Sequence, residues 1–197
     1  MPNKPPLIGI TGGIGSGKST VCKIIESLGY KVYYADDRGK WLMSNDPHLK
    51  EQIKSLFGEE SYVDGELNRK HIADIVFKSS ESIKQLNVLI HPAVAEDLKK
   101  WLHENNHERL LFDEAALLFE TGSYRRMDKV ILVTAPEETR IRRVVSRDAH
   151  RDEKDVQEIM SQQMKDEEKI PLADYIFVND GRQSLIKQVM DLLAQLN

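Results

Sequence analysis

The sequence predicts an α/β protein built on a five-stranded parallel sheet with helices on both of its faces. Five short runs of apolar, often β-branched residues are separated mostly by segments with helical periodicity, an alternation typical of a parallel sheet. A glycine-rich segment, residues 12–20, connects the first run to the first helical segment. A long helical stretch separates the second run from the third, and it predicts a second lobe attached to the sheet.

The first strand, loop and helix are predicted together. Leu7–Thr11 is an apolar, β-branched run that predicts the first strand. Residues 12–19 read Gly-Gly-Ile-Gly-Ser-Gly-Lys-Ser and fulfil the phosphate-loop pattern G-x-x-x-x-G-K-[ST]. Apolar residues then recur at i, i+3, i+4 and i+7 from Val21, which predicts a helix that Gly29 ends. Because a strand, this loop and a helix follow in that order, we expect a nucleoside triphosphate to bind here.

The residue types of the loop suit phosphate binding. Glycines let backbone N–H groups converge on phosphate oxygens, and the helix that follows directs its positive end to the same place. Lys18 supplies a cation for the β- and γ-phosphates, and the Ser19 hydroxyl can ligate Mg²⁺. The predicted nucleotide contacts in this loop are Gly13, Ile14, Gly15, Ser16, Gly17, Lys18, Ser19 and Thr20.

The other elements follow from the same patterns. The remaining predicted strands are Lys31–Tyr34, Leu110–Phe112, Val130–Thr134 and Tyr175–Val178. Helical segments are predicted at Pro47–Phe57, Asn68–Phe77, Glu81–Leu89 and Pro92–Glu104, with turns at Asp64-Gly65 and His91-Pro92. We expect one domain, with a core of residues 1–36, 109–139 and 171–197, a helical insertion at 37–108 and a shorter excursion at 140–170. Ordinary crossover helices are the alternative for both excursions.

Two predicted strands deliver carboxylates to one edge of the sheet, where ligands of such sheets bind. Asp36 follows the second strand and could accept a proton from an attacking hydroxyl or hold Mg²⁺ through water. The alternative is a helix cap, for which Asp37 is better suited. Asp113 and Glu114 end the third strand on opposite faces, so only one of them can serve a metal; both could instead be solvated.

Three arginines, Arg140, Arg143 and Arg147, share one face of a predicted helix. Guanidinium groups suit phosphate oxygens and can offset charge during phosphoryl transfer, so we expect one or two of them to face the phosphates. The alternative is a solvated face paired with acids such as Asp148. Asn179 follows the last strand in a turn that either borders the nucleotide base or is a plain turn.

Composition narrows the class of protein. The formal net charge is −4 and the pI is near 5.9, which argues against a general nucleic-acid or membrane-surface binder. Cys22 is the only cysteine, so an internal disulfide is excluded, and its place in the first helix predicts a buried thiol. Apolar stretches fall short of the ~20 residues that span a bilayer. We expect a soluble cytoplasmic protein, either a monomer or a small homo-oligomer.

Four segments, in this order along the chain, resemble the dephospho-CoA kinase family, part of the P-loop group similar to nucleoside-monophosphate kinases. They are residues 9–20, Ala35-Asp36, Leu89-Ile-His-Pro92 and Leu117-Leu-Phe-Glu120. Arg143, Arg147, Gln163 and residues 173–179 fit the C-terminal half of the family. The phosphate loop alone is shared with other P-loop kinases, so the resemblance depends on the ordered set.

The resemblance implies that ATP phosphorylates the ribose 3′-hydroxyl of dephospho-coenzyme A, giving coenzyme A and ADP. Asp36 would deprotonate that hydroxyl, the 37–108 insertion would bind the acceptor, and residues 140–170 would close as a lid. The implied catalytic residues are Asp36, Lys18 and Arg143; further ATP contacts are Arg147 and Asn179; acceptor contacts are Asp36, His91 and Leu117; and Mg²⁺ ligands are Ser19 and Glu114. No nucleic acid or membrane is expected as a partner.

Two other functions fit parts of the pattern. A P-loop kinase for another small hydroxyl, or for a nucleoside monophosphate, would show the same loop and a similar insertion. A GTPase-type switch would explain Asp36-Asp-Arg-Gly39, which matches its D-x-x-G pattern. The chain has no N-K-x-D run for guanine, however, and a switch leaves the long insertion unexplained.

Overall fold

A computed structural model describes residues 4–76 and 79–196 of the chain. The strands are β1 (Leu7–Thr11), β2 (Lys31–Tyr34), β3 (Tyr62–Val63), β4 (Glu66–Leu67), β5 (Leu111–Glu114), β6 (Lys129–Thr134) and β7 (Tyr175–Val178). The helices are α1 (Lys18–Ser27), α2 (Ala35–Asn45), α3 (Pro47–Phe57), α4 (Arg69–Val76), α5 (Ser80–Glu104), α6 (Glu137–Arg147), α7 (Glu153–Ser161), α8 (Asp166–Lys169) and α9 (Leu185–Leu196). Within the described residues, none of these helices combines the length and the apolar character needed to cross a membrane.

The chain forms two compact units. One comprises residues 1–33 and 106–197, and the other comprises residues 34–105. The first unit contains the sheet with the phosphate loop, and the second is mainly helical. The assignment of the second unit to acceptor binding and of residues 140–170 to a lid stays a prediction at this point.

The predicted five-stranded sheet is confirmed, with strand order β2-β5-β1-β6-β7. β1 lies at its centre and pairs in parallel with both β5 and β6, and β6 pairs in parallel with β7. All five residues of β1 are buried, as expected for a central strand covered on both faces. From β1 the chain crosses through α1 towards one edge, and from β6 it crosses through α6 towards the other. Because such crossovers are right-handed, these helices lie on opposite faces of the sheet.

The boundaries differ little from those predicted. Strands β1, β2 and β7 have the expected limits, while β5 begins at Leu111 and continues to Glu114, so both acids lie within the strand. Helix α3 matches the prediction, and α4 begins at Arg69. The last residue of the predicted 68–77 helix, Phe77, lies outside the described residues.

The turn predicted at His91-Pro92 is wrong, because α5 runs without a break from Ser80 to Glu104 with Pro92 inside it. Proline removes one helical hydrogen bond, so the pattern favoured two helices. The single helix is instead held by packing on both sides of the proline. Leu86 and Leu89 before it and Val94 after it pack against the core of the 34–105 unit.

The turn predicted at Asp64-Gly65 is confirmed, and it joins two strands too short for their pattern to reveal. Both turn residues have positive φ, 51° and 81°, as a two-residue hairpin turn requires. Tyr62 of β3 donates its hydroxyl to the Met43 carbonyl at 2.7 Å, and burial raises the pKa of Tyr62 to about 12. The hairpin therefore closes one side of the helical core.

Candidate phosphate-binding site

The loop between β1 and α1 has the conformation that its glycines predict. Gly15 and Gly17 have φ of 76° and 103°, backbone conformations that residues with a Cβ rarely adopt. Close contacts reinforce this requirement: a Cβ on Gly15 would lie 2.5 Å from the Arg140 carbonyl, and one on Gly17 would clash with the side-chain nitrogen of Asn179. The glycines thus allow neighbouring segments to pack directly against the loop.

Lys18 begins α1 and reaches back across the loop. Its Nζ donates to the Gly12 carbonyl at 2.8 Å and lies 4.0 Å from Oε1 of Glu114. Ser19 and Thr20 follow in the exposed first turn of α1. The ammonium group, the helix N-terminus and the loop backbone therefore surround one position, which suits an anion.

The two acids at the end of β5 are both buried, so the alternative of solvated strand-end acids is wrong. They point to opposite faces of the sheet, since successive side chains of a strand alternate. Glu114 lies on the α1 face, next to Lys18. Burial is the largest cause that raises the pKa of the Cys22 thiol well above its ordinary value, and the negative charge of Glu114 is the second. Of the two acids, Glu114 is the one that accompanies the phosphate loop.

The three arginines of α6 have separate partners. Arg140 is buried and donates from Nε to the Ile14 carbonyl at 3.0 Å, so it packs beneath the loop instead of extending to a phosphate. Arg143 donates to the carbonyl and the side-chain oxygen of Asn179 at 3.1 and 3.2 Å. Arg147 forms a bidentate pair with Asp148 at 2.8 and 2.9 Å. The hydrogen bonds of that pair raise the pKa of Arg147 and lower that of Asp148.

Arg143 and Asn179 together form one wall of the loop. The Asn179 amide donates to the Ser16 carbonyl at 2.8 Å, and its backbone N–H donates to Thr134 at 2.8 Å. Asn179 therefore belongs to the loop's packing and is more than a plain turn residue. The Nη1 atom of Arg143 is buried and has no hydrogen-bond partner within residues 4–76 and 79–196. A buried guanidinium nitrogen in that state can donate to a bound anion.

Arg140 has no role in the sequence patterns beyond the shared helix face, and Gln163 and Glu120 have none. Gln163 accepts a hydrogen bond from the Ile14 N–H at 2.9 Å, and Glu120 forms an ion pair with the buried Lys169 at 2.9 Å. Gln163 and Glu120 are residues that match the family resemblance, which by itself assigns neither of them a contact. No local spacing could have identified these contacts, because Ile14 and Gln163 are 149 positions apart.

The other predicted site residues have the following places. Leu117 is exposed in the turn after β5. Asp36 is exposed as the second residue of α2, immediately after β2 in the chain, and His91 is exposed within α5. The prediction that Asp37 caps the helix is wrong, because α2 begins at Ala35. Asp37 lies in its first turn and accepts a hydrogen bond from Lys40 at 2.7 Å.

Comparisons with known proteins decide the family. The family model described as dephospho-CoA kinase matches residues 6–184. The chain belongs to the dephospho-CoA kinase family. A curated dephospho-CoA kinase of Bacteroides fragilis is 40% identical over 189 residues, covering 96% of this chain and 92% of that protein. One from Chlorobium luteolum is 39% identical over 194 residues, covering 95% and 88%.

Solved structures agree with this membership. The crystal structure of TT1252 from Thermus thermophilus has a TM-score of 0.87 and 36% identity. The match covers 99% of this chain and 100% of the TT1252 chain. The dephospho-CoA kinase from Campylobacter jejuni has a TM-score of 0.69 and 28% identity, covering 96% and 95%. Membership of the dephospho-CoA kinase family makes the protein a P-loop kinase, and kinases use ATP.

Proposed function

We propose that the protein transfers the γ-phosphoryl group of ATP to the ribose 3′-hydroxyl of dephospho-coenzyme A, giving coenzyme A and ADP. The observation that carries the proposal is the family match over residues 6–184, which includes the 34–105 unit as well as the phosphate loop. A phosphate loop alone supports triphosphate binding and leaves the acceptor open. Relatives named dephospho-CoA kinase that align along nearly the whole chain support this acceptor.

In the donor half of the site, we assign the triphosphate to residues 13–20. Lys18 has a flexible stem, and the reach that brings its Nζ to Gly12 also brings it to the β- and γ-phosphates. Arg143 contributes its buried Nη1, while Asn179 orients the guanidinium group through Nη2. Arg147 is assigned to ATP binding, since its side chain is 63% exposed and its surface ion pair with Asp148 contributes little that would hold it there.

The residues beside the loop fit a magnesium ion, which prefers oxygen ligands and keeps several waters. Within the described residues no group of three or more acidic, histidine or cysteine side chains could hold a metal alone, so the ion would also need the phosphate oxygens. Ser19 offers an exposed hydroxyl, and Glu114 offers a buried carboxylate beside Lys18. When bound, the ion neutralises charge on the β- and γ-phosphates.

In the acceptor half, Asp36 is assigned as the general base. The attacking hydroxyl oxygen forms a bond to the γ-phosphorus while the bond to the β–γ bridging oxygen breaks, ADP departs, and the proton passes to the Asp36 carboxylate. The exposed carboxylate of Asp36 supports this role, because it has access to a bound ligand. His91 and Leu117, both exposed, are assigned to acceptor contacts.

Residues 37–108 are proposed to hold the acceptor and residues 140–170 to act as a lid. Water competes with the ribose hydroxyl for the γ-phosphoryl group, so closure over the site would favour transfer. The support for the lid is that α6 and the segment after α7 supply Arg140 and Gln163 to the loop. These segments therefore contact residues of the loop that we assign to ATP.

The acceptor is tested by measuring ADP formation from ATP with dephospho-coenzyme A, with a nucleoside monophosphate and with other small alcohols. Turnover confined to dephospho-coenzyme A supports the proposal. Turnover with another acceptor alone would identify a different P-loop kinase. A strong preference for GTP, with slow hydrolysis and no acceptor turnover, would favour a switch protein.

The base is tested with Asp36→Asn against the matched control Asp37→Asn. The two residues are adjacent, acidic and exposed in the first turn of α2. Loss of a general base lowers kcat by about 10²–10⁴-fold, whereas the control should retain nearly full activity. ATP affinity should be the same in both variants. Equal kcat values for the two variants would remove Asp36 from this role.

A further inference from the structure

The 140–170 segment holds both peptide groups of Ile14, in the middle of the loop. Its N–H donates to Oε1 of Gln163 at 2.9 Å, and its carbonyl accepts from Nε of Arg140 at 3.0 Å. Gly13 and Gly15 flank it, and glycine leaves the chain more conformational freedom than any other residue. Without these two bonds, the peptide groups around Ile14 would have many accessible orientations.

The side chain of Ile14 is held by the same segment. It packs against a buried cluster formed by Ile141 and Val144 of α6 and Val156 of α7. Arg140 itself is fixed, since its Nη1 lies 3.5 Å from the Asp166 carboxylate and its side chain is only 9% exposed. The loop therefore rests on an ordered support, and Oε1 of Gln163 accepts the hydrogen bond that the Ile14 N–H donates.

Gln163 is in turn placed by Glu120, the partly buried acid of the Leu117-Leu-Phe-Glu120 segment. Oε1 of Glu120 accepts from the N–H of Met164, the next residue, at 3.0 Å. The same oxygen lies 2.9 Å from Nζ of Lys169, whose side chain is 0% exposed. The Glu120 carboxylate therefore holds the backbone next to Gln163 in place, which gives Glu120 a structural role.

We propose that Gln163 is a positioning residue for the phosphate loop: its side-chain oxygen fixes the Gly13–Ile14 peptide group in the orientation that lets the loop bind the triphosphate. The inference rests on the proposed function only in taking this loop as the ATP site. Gln163 acts through Ile14, because the contact that the structure shows joins its Oε1 to the Ile14 N–H. A loop ordered in advance loses less conformational entropy when ATP binds.

The test uses Gln163→Leu, which keeps the approximate size and removes the acceptor. Gln162→Leu is the matched control, because Gln162 is the neighbouring residue and its side chain is exposed. Hydrogen exchange of the Ile14 amide is measured by NMR, and ATP affinity is measured by calorimetry without acceptor. The KM for the acceptor, dephospho-coenzyme A, is measured by following ADP formation.

We expect Ile14 exchange to accelerate about tenfold or more in Gln163→Leu and ATP affinity to fall about tenfold, the scale of one hydrogen bond. The acceptor KM and the unfolding midpoint should stay near those of wild type, and Gln162→Leu should match wild type throughout. Gln163→Glu keeps an oxygen at the same distance along the side chain and should restore the protection of Ile14.

Three results would overturn the inference. One is unchanged Ile14 exchange in Gln163→Leu, and another is an equal loss of ATP affinity in Gln162→Leu. The third is an increase in acceptor KM as large as the loss in ATP affinity, which would indicate general damage. If wild-type protein fails to phosphorylate dephospho-coenzyme A, the proposed function fails, while amide exchange and ATP affinity still decide the role of Gln163.

Discussion

Replacing Lys169 with methionine should destabilise the protein far more than any surface substitution. Lys169 lies at the end of α8 with a fully buried side chain, 2.9 Å from the Glu120 carboxylate. Methionine fills similar space and removes the ammonium group. The Glu120 carboxylate is then left without its ionic partner in a largely buried place, which is the costly outcome for such a pair.

The size of the effect follows from the burial of each partner. Breaking a buried ion pair by removing one member costs about 3–5 kcal/mol. Glu120 keeps 19% exposure and its bond from the Met164 N–H, so we expect the lower limit, about 3 kcal/mol. In a protein of this length, 1 kcal/mol corresponds to about 2–4 °C in Tm, so Tm should fall by about 6–12 °C.

Urea and thermal unfolding of Lys169→Met provide the measurement, with Lys187→Met as the matched control. Lys187 also pairs with a carboxylate, that of Asp191 at 2.7 Å, but its side chain is 74% exposed. The control should change Tm by less than about 2 °C. A second variant, Lys169→Met with Glu120→Leu, removes both charges and should recover about half of the loss or more. Equal Tm values for Lys169→Met and Lys187→Met would refute the reasoning.

Three further predictions concern the loop and its surroundings. Gly13→Ala should cost about 1–3 kcal/mol in urea unfolding and weaken ATP binding, because the new Cβ would lie 2.6 Å from Cζ of the buried Arg140; an unchanged midpoint would contradict this. Cys22 should react with a thiol reagent at pH 8 only after unfolding, since burial raises its pKa; its contribution to stability is complete below its ordinary pKa of 9.0 and is lost as pH rises further. Arg143→Met should lower kcat for ATP about 10²-fold or more without changing Tm by more than a few degrees, and full activity would exclude its contact with phosphate.

The sequence predicted the features that depend on neighbours in the chain. The run Leu7–Thr11, the loop glycines and the first helix are encoded within about 20 residues, and the structure has them as expected. Pro92 misled the prediction because its local effect opposes a helix, while the packing of Leu89 and Val94 on the 34–105 core sustains one. Tertiary packing outweighed local preference there.

Contacts between distant positions could not be predicted. The bond from Ile14 to Gln163 joins residues 149 positions apart, and the ion pair of Glu120 and Lys169 joins side chains that a hydropathy pattern places at the surface. The contact of Arg140 with the Ile14 carbonyl could not be predicted either. The position of Arg140 on the helix indicates the face on which its side chain lies, but it does not identify the group that the side chain bonds. The family resemblance indicated that Gln163 and Glu120 belong to shared segments, and the structure shows which groups they contact.

The most direct test of the proposed function is to identify where the phosphoryl group goes. Purified protein is incubated with ATP, Mg²⁺ and dephospho-coenzyme A, and the products are followed by ³¹P NMR. We expect one new phosphomonoester on the ribose 3′-hydroxyl, formed in equal amount with ADP and abolished in Lys18→Ala. Inorganic phosphate in place of that ester, or a phosphoryl group on another position, would contradict it.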